Sequence, residues 1–98
     1  MMTTLEELLA FAGAHGIEVD NWPMQGNRRA FALPDGWIAV DYSKFETETE
    51  LARVIAHEIG HIMTGTFYKA EVPAAVKADC ERQADEWAAD HLIDYMRS

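Results

Sequence analysis

Apolar positions recur along this chain with a helical period at both ends and alternate with polar ones only in the first half of the middle. Leu5, Leu8, Leu9 and Ala12 fall on one stripe, Thr4 and Glu7 stand ahead of it at capping-box spacing, and Gly16 follows it. These signals predict a first helix over about Leu5 to His15. Ile17 to Asp20 alternates, as a short strand does, and Asn21 to Arg29 reads as a loop because it holds Pro23, Gly26 and Asn27. Ala30 to Leu33 and Trp37 to Tyr42 flank the turn-forming Pro34-Asp35-Gly36, which predicts a β-hairpin. Thr47 and Glu50 repeat the capping spacing, so a second helix is expected from Thr47 to a stop at Gly65. Thr66 to Val72 then connects to a final helix, with Pro73 in its first turn and alanine-rich sequence from Ala74 to about Met96.

On a wheel of about 100° per residue, Leu51, Ile55, Ile59, Ile62 and Met63 share one arc of the second helix and are expected to face the core. His57 and His61 lie off that arc. Four residues apart, they sit about one turn from each other on one face, where both imidazoles can reach a single ion. The stretch His57-Glu58-Ile59-Gly60-His61 is an H-E-x-x-H motif, and Glu58 is placed to act as general base toward a water molecule. Zinc-dependent peptide hydrolysis is the chemistry such spacing serves. On the final helix Ala74, Ala78, Glu81, Asp85, Ala88 and Leu92 share a face, two carboxylates within a small, apolar stripe. Burying ionised carboxylates costs several kcal/mol each unless a cation or donor compensates. A metal held by His57 and His61 supplies the compensation. Catalytic zinc commonly takes three protein ligands, and Glu81 is the expected third. Asp85, one turn further on, is placed to accept a hydrogen bond from a ligand histidine, His57 in the first instance. The alanines at 74, 78 and 88 would let the two helices approach closely. For the donor that meets a developing oxyanion, Tyr68 in the connection is the candidate, with Tyr42 behind it; packing is the competing role of each. An extended substrate could add as a strand to an exposed edge of the hairpin.

Composition narrows the remaining possibilities. With 98 residues, 49% of them hydrophobic, the expectation is one α+β domain spanning 1–98 with a single core. A net charge of −9 without a basic cluster argues against nucleic-acid binding. The one cysteine, Cys80, cannot form an internal disulfide and suits a reducing compartment. The start of the chain lacks a basic region followed by an apolar run, and no stretch approaches the roughly 20 apolar residues that span a bilayer. A cytoplasmic protein without membrane attachment is therefore expected. His15, at a helix C-terminus, and His91, on a different face from Glu81, are assigned structural roles, and Cys80 that of a small packing residue.

H-E-x-x-H followed by Glu81-Arg82-Gln83-Ala84-Asp85, an E-x-x-x-D motif, is similar to the pattern of the gluzincin metallopeptidases. With Glu86-Trp87-Ala88-Ala89 added, it resembles the ImmA/IrrE family in particular. The resemblance implies a minimal zincin-like domain: an N-terminal helix, a small sheet with a hairpin, and a two-helix metal site. It implies a zinc peptidase with His57, His61 and Glu81 as ligands, Glu58 catalytic and Asp85 in support, acting on an intracellular protein such as a repressor of a mobile element. The chain departs from many relatives in carrying Thr64-Gly65-Thr66 where a further histidine would stand, and His91-Leu92-Ile93-Asp94 in place of a Leu-Met-Pro tail. These departures leave the metal set intact and the substrate open. The alternative is a metal-stabilised interaction module that binds its partner without cutting it, although a purely structural site has no need of Glu58.

Overall fold

The computed structural model describes residues 3–96. Helix α1 (Thr4–Ala14) leads into strand β1 (Glu18–Asn21), then β2 (Ala30–Ala32) and β3 (Trp37–Val40), and after a short 3-10 turn at Tyr42–Lys44 come helices α2 (Glu48–Thr64) and α3 (Ala74–Met96). The α+β class and the order of elements agree with the sequence expectation.

The first helix opens one residue earlier than expected. Its capping box is Thr3 with Glu6, where Thr3 accepts from the Glu6 amide at 3.1 Å and Glu6 accepts from the Thr3 amide at 3.2 Å, rather than Thr4 with Glu7. Both threonines have a glutamate three residues on, so spacing alone cannot choose between them. This frame puts Leu8 and Ala12 fully inside, with Leu5 and Leu9 packed around them. The first strand likewise runs 18–21 instead of 17–20, and Ile17 joins the core ahead of it.

The hairpin pairs β2 and β3 antiparallel, Ala30 with Val40 and Ala32 with Ile38. Gly36, at φ 96°, supplies the left-handed turn residue between them. The second strand ends at Val40 instead of Tyr42. Asp41 turns the chain by accepting from the Ser43 amide at 3.1 Å and the Ser43 hydroxyl at 2.6 Å. Strand β1 joins β3 on its other side and parallel to it, giving the order β1-β3-β2. Ile38, Ala39 and Val40 are fully buried, as befits a central strand. Ile38 and Val40 share one core with Leu8 and Ala12 of α1 and with Leu51, Ile55 and Ile59 of α2.

Thr47 caps α2 by accepting from the Glu50 amide at 3.1 Å, and Gly65, at φ 68°, ends the helix in the left-handed region. Both boundaries were expected. Of the predicted arc, Leu51, Ile55 and Ile59 are buried and Ile62 packs on the core, but Met63, at the edge of the arc in the last turn, is 41% exposed.

On α3 the packing stripe is not the expected one. Ala84 and Ala88 are buried, with Cys80 and Trp87 half-buried beside them, while Ala74 and Ala78 are exposed and the Leu92 side chain lies outside the described residues. Helices α2 and α3 approach closely at Gly60 against Ala84: a Cβ on Gly60 would stand 2.6 Å from the Ala84 carbonyl oxygen. Among the described residues no helix is long and apolar enough to cross a membrane.

Candidate metal centre

Because α2 buries Leu51, Ile55 and Ile59, it turns His57 and Glu58 toward the margin of its contact with α3. The two histidine rings stand nearly perpendicular, 89° apart, with centroids separated by 4.7 Å. Helix α3 brings Glu81 to the same point. One ligand atom from each of His57, His61 and Glu81 lies within 4.8 Å of the other two. His57 Nε2 is 2.7 Å and His61 Nε2 3.4 Å from Glu81 Oε2.

Each ring is held from behind. His57 Nδ1 donates to Asp85 Oδ1 at 2.6 Å, the contact expected of Asp85. His61 Nδ1 donates to the Thr66 carbonyl at 2.8 Å and also lies 3.2 Å from the Thr66 hydroxyl. In the form that ligation needs, neutral with the proton on Nδ1, each ring would present its Nε2 lone pair toward the Glu81 carboxylate. With both rings neutral the three electron-pair donors would repel unless a cation lay between them; with His57 charged, its Nε2 donates to Glu81 Oε2 at 2.7 Å instead. The donor set, two imidazole nitrogens and a carboxylate oxygen with their outer partners in place, fits a zinc ion.

The burial expected of the two carboxylates is not found: the Asp85 side chain is 71% exposed and that of Glu81 40%. They reach the site from the edge of the α3 stripe, so convergence on one point, rather than desolvation, is what calls for a cation. The alanines at 74 and 78 play no part in the close approach, which rests on Gly60 and Ala84.

Thr66 went unrecognised in the sequence because its main contribution is a backbone carbonyl, which leaves no side-chain signature. The available signal was Gly65, whose left-handed conformation folds the chain back so that the Thr66 amide donates to the His61 carbonyl at 3.0 Å. Tyr68 donates to Glu81 Oε1 at 2.6 Å. That bond pushes the Tyr68 hydroxyl up to about 12, so it keeps its proton at neutral pH. For Glu81, partial burial pushes the carboxyl up, but the Tyr68 hydrogen bond and the His61 and His57 charges outweigh it and leave the group below its ordinary value. Glu58 is the opposite case, since burial pushes its carboxyl up against the pull of both histidines. Tyr42 is not among the residues of this cleft; it packs on the main core.

Glu58, His61, Tyr68 and Glu81 line a cleft of about 240 Å³ together with Ala30, Phe31 and Ala32 of β2 and the preceding Arg28. His15 and His91 lie elsewhere: His15 stacks on Phe11 at 4.0 Å and His91 on Trp87 at 3.8 Å, the structural roles expected of them.

Helix, mixed three-stranded sheet and paired helices with a His-His-Glu cluster together define a zincin-like metallopeptidase domain. Among protein families, the chain matches Peptidase family M48 over residues 2–78 and belongs to that family. It is accordingly a zinc metalloprotease domain with a protein or peptide as substrate. The match ends just before Glu81, so the third donor rests on geometry. Neither the curated proteins nor the solved structures give a significant match.

Proposed function

We propose that this chain is a cytoplasmic zinc endopeptidase that cuts an intracellular regulatory protein, with His57, His61 and Glu81 as ligands and Glu58 as general base. The observation that carries the proposal is the position of Glu58: adjacent to His57 in sequence, half-buried in the cleft wall beside His61, and raised in pKa by that burial. A raised carboxyl pKa strengthens a base that must take a proton from water at neutral pH. When bound, the zinc ion supplies a Lewis acid that polarises a water molecule and the scissile carbonyl. Glu58 would accept a proton from the attacking water and return it to the departing amine. Asp85 and the Thr66 carbonyl keep the two rings in the tautomer that ligation needs. Tyr68 keeps its proton, and its hydroxyl, on leaving Glu81 Oε1, is the proposed donor to the developing oxyanion.

Strand β2 lies at the edge of the sheet, and its residues line the cleft, so the substrate is proposed to add there as a further strand. The likeness of Glu81 to Ala89 to the second ImmA/IrrE motif supports a repressor or similar regulator of a mobile element as target. The free Cys80 is in keeping with a reducing compartment.

The test is a Glu58→Gln variant with its metal content measured. Zinc retained at one equivalent, with cleavage of a candidate repressor reduced at least about 100-fold, is the expected result. Cleavage at the parent rate would rule out Glu58 as base and favour a non-catalytic module.

A further inference from the structure

Beyond the ligands and the base, the cleft contains one feature that the chemistry above does not use, the guanidinium of Arg28. In a chain of net charge −9 it lines the same cleft as Glu58 and His61, near enough for its charge to act on the Glu58 carboxyl. Among the described residues it forms no ion pair with any carboxylate. Its guanidinium carbon lies 5.0 Å from the centroid of the Phe31 ring. Stacking of this kind restrains the planar group by one face and leaves its N–H edge available to a carboxylate, which it can bind through two parallel hydrogen bonds.

The backbone that carries Arg28 is fastened. Lys44 Nζ donates to the Gly26 carbonyl at 2.8 Å and to the Arg28 carbonyl at 2.7 Å. Asp41 accepts from the Met24 amide at 2.9 Å, and the Asp41 amide donates to the Arg29 carbonyl at 2.8 Å. The 3-10 turn after β3 thus clamps both sides of the loop and sets where Arg28 enters the cleft. Arg29 provides a contrast: it stacks on Phe45 at 4.8 Å in the same manner but does not line the cleft.

We infer that Arg28 forms a specificity subsite for an acidic side chain, Asp or Glu, within about two residues of the scissile bond. The proximity limit follows from size. A cleft of about 240 Å³ shared by Arg28, Glu58 and His61 holds roughly a side chain and the water it displaces, at about 30 Å³ per water, and each residue of an extended peptide advances about 3.4 Å. Elsewhere the acidic surface repels an acidic peptide, so a carboxylate gains most by lying against Arg28, which favours one register over the others. The inference rests on the peptidase reading for its placement next to the scissile bond.

Quenched fluorescent peptides with Glu, Gln or Lys at each of the two positions on either side of the cleavage point separate the two ideas. They are assayed for turnover by the zinc-loaded parent and for binding, by anisotropy, to the Glu58→Gln variant. At one position Glu should be favoured over Gln about fivefold, the upper range for an exposed charge pair, and over Lys by more. Arg28→Ala should bring the Glu-over-Gln ratio to about one, whatever its effect on turnover as a whole, Arg28→Glu should turn the preference toward Lys, and Arg29→Ala should leave it as in the parent. Turnover without a Glu preference, or a preference that survives Arg28→Ala, overturns the subsite and leaves the peptidase standing. Arg28-dependent binding of acidic peptides with no turnover sinks the peptidase and upholds the subsite. Neither binding nor turnover of any acidic peptide overturns the inference.

Discussion

Replacing Gly60 by alanine tests whether the contact between α2 and α3 sets the metal geometry. The added Cβ would lie 2.6 Å from the Ala84 oxygen, 3.1 Å from its Cα and 3.2 Å from its carbonyl carbon. All three are backbone atoms, so no rotamer change relieves the clash and the helices must part. Ordinary contact begins at 3.4 Å, which sets the opening at about 0.8 Å. Overpacking of this kind costs about 1–3 kcal/mol, and alanine returns up to about 1 kcal/mol in helix propensity. The net loss of stability is therefore modest, at most about 2 kcal/mol. The site feels more. Glu81 and Asp85 lie on either side of Ala84, and their 2.7 Å and 2.6 Å contacts with His57 would open by a similar distance, when ligand distances tolerate only about 0.2 Å. Zinc affinity should fall by about tenfold or more, and kcat/KM by about 100-fold. Competition with a chromophoric chelator reads the first and peptide turnover the second, while urea unfolding measures the fold. Gly13→Ala is the control: nothing lies within 4 Å of its built Cβ, so it should gain up to about 1 kcal/mol and leave zinc binding alone. A Gly60→Ala protein that binds zinc as the parent does, with unchanged turnover, would refute the claim that this contact fixes the ligands.

Asp85→Ala removes the acceptor behind His57 and should weaken zinc binding about 10- to 100-fold, whereas Asp85→Asn, which keeps an oxygen there, should fall between; equal affinity in all three would deny Asp85 its orienting role. Tyr68→Phe should lower kcat about 100-fold with zinc affinity little changed if the hydroxyl meets the oxyanion; a parallel loss of zinc would assign it to holding Glu81 instead. The hydrogen bonds from the Ser43 hydroxyl and the Met24 amide hold the Asp41 carboxyl below its ordinary value, against the effect of burial. A carboxyl depressed in the folded state contributes stability that is fully present above its unfolded pKa, near 3.9, and is lost as pH falls through the folded value. The urea midpoint should therefore decline from about pH 4 downward in the parent and less steeply in Asp41→Asn; identical slopes would remove Asp41 from the account.

Local signals were legible wherever one residue settles the matter. Thr47 and Gly65 mark the ends of α2 because a cap and a left-handed stop act within one turn, and His57 with His61 gives the site away through helix period alone. What depended on partners distant in sequence was not legible. The parallel pairing of β1 with β3 is decided by the shared core of α1 and the sheet, and nothing in Glu18 to Asn21 states it. The α3 wheel placed Glu81 and Asp85 on one face correctly but set them at the centre of the contact, whereas the neighbours of α2 turn Ala84 and Ala88 inward. Gly60 was inside the motif and in full view, yet its role required knowing what stood opposite. Arg28 had no signal in sequence, since its position in the cleft comes from the clamp that Lys44 and Asp41 make on its loop.

Two of the three donors stand on α2 and the third on α3, with the whole connection between them. An unfolded chain does not bring them together, so an ion gripped by all three is bound by the folded state alone and ties the helices as a removable crosslink. At a hundred times its dissociation constant, a ligand of that kind adds about 2.7 kcal/mol to the fold. Loss of zinc held in this way would lower the stability of the fold by about that amount and leave the chain more open to proteolysis.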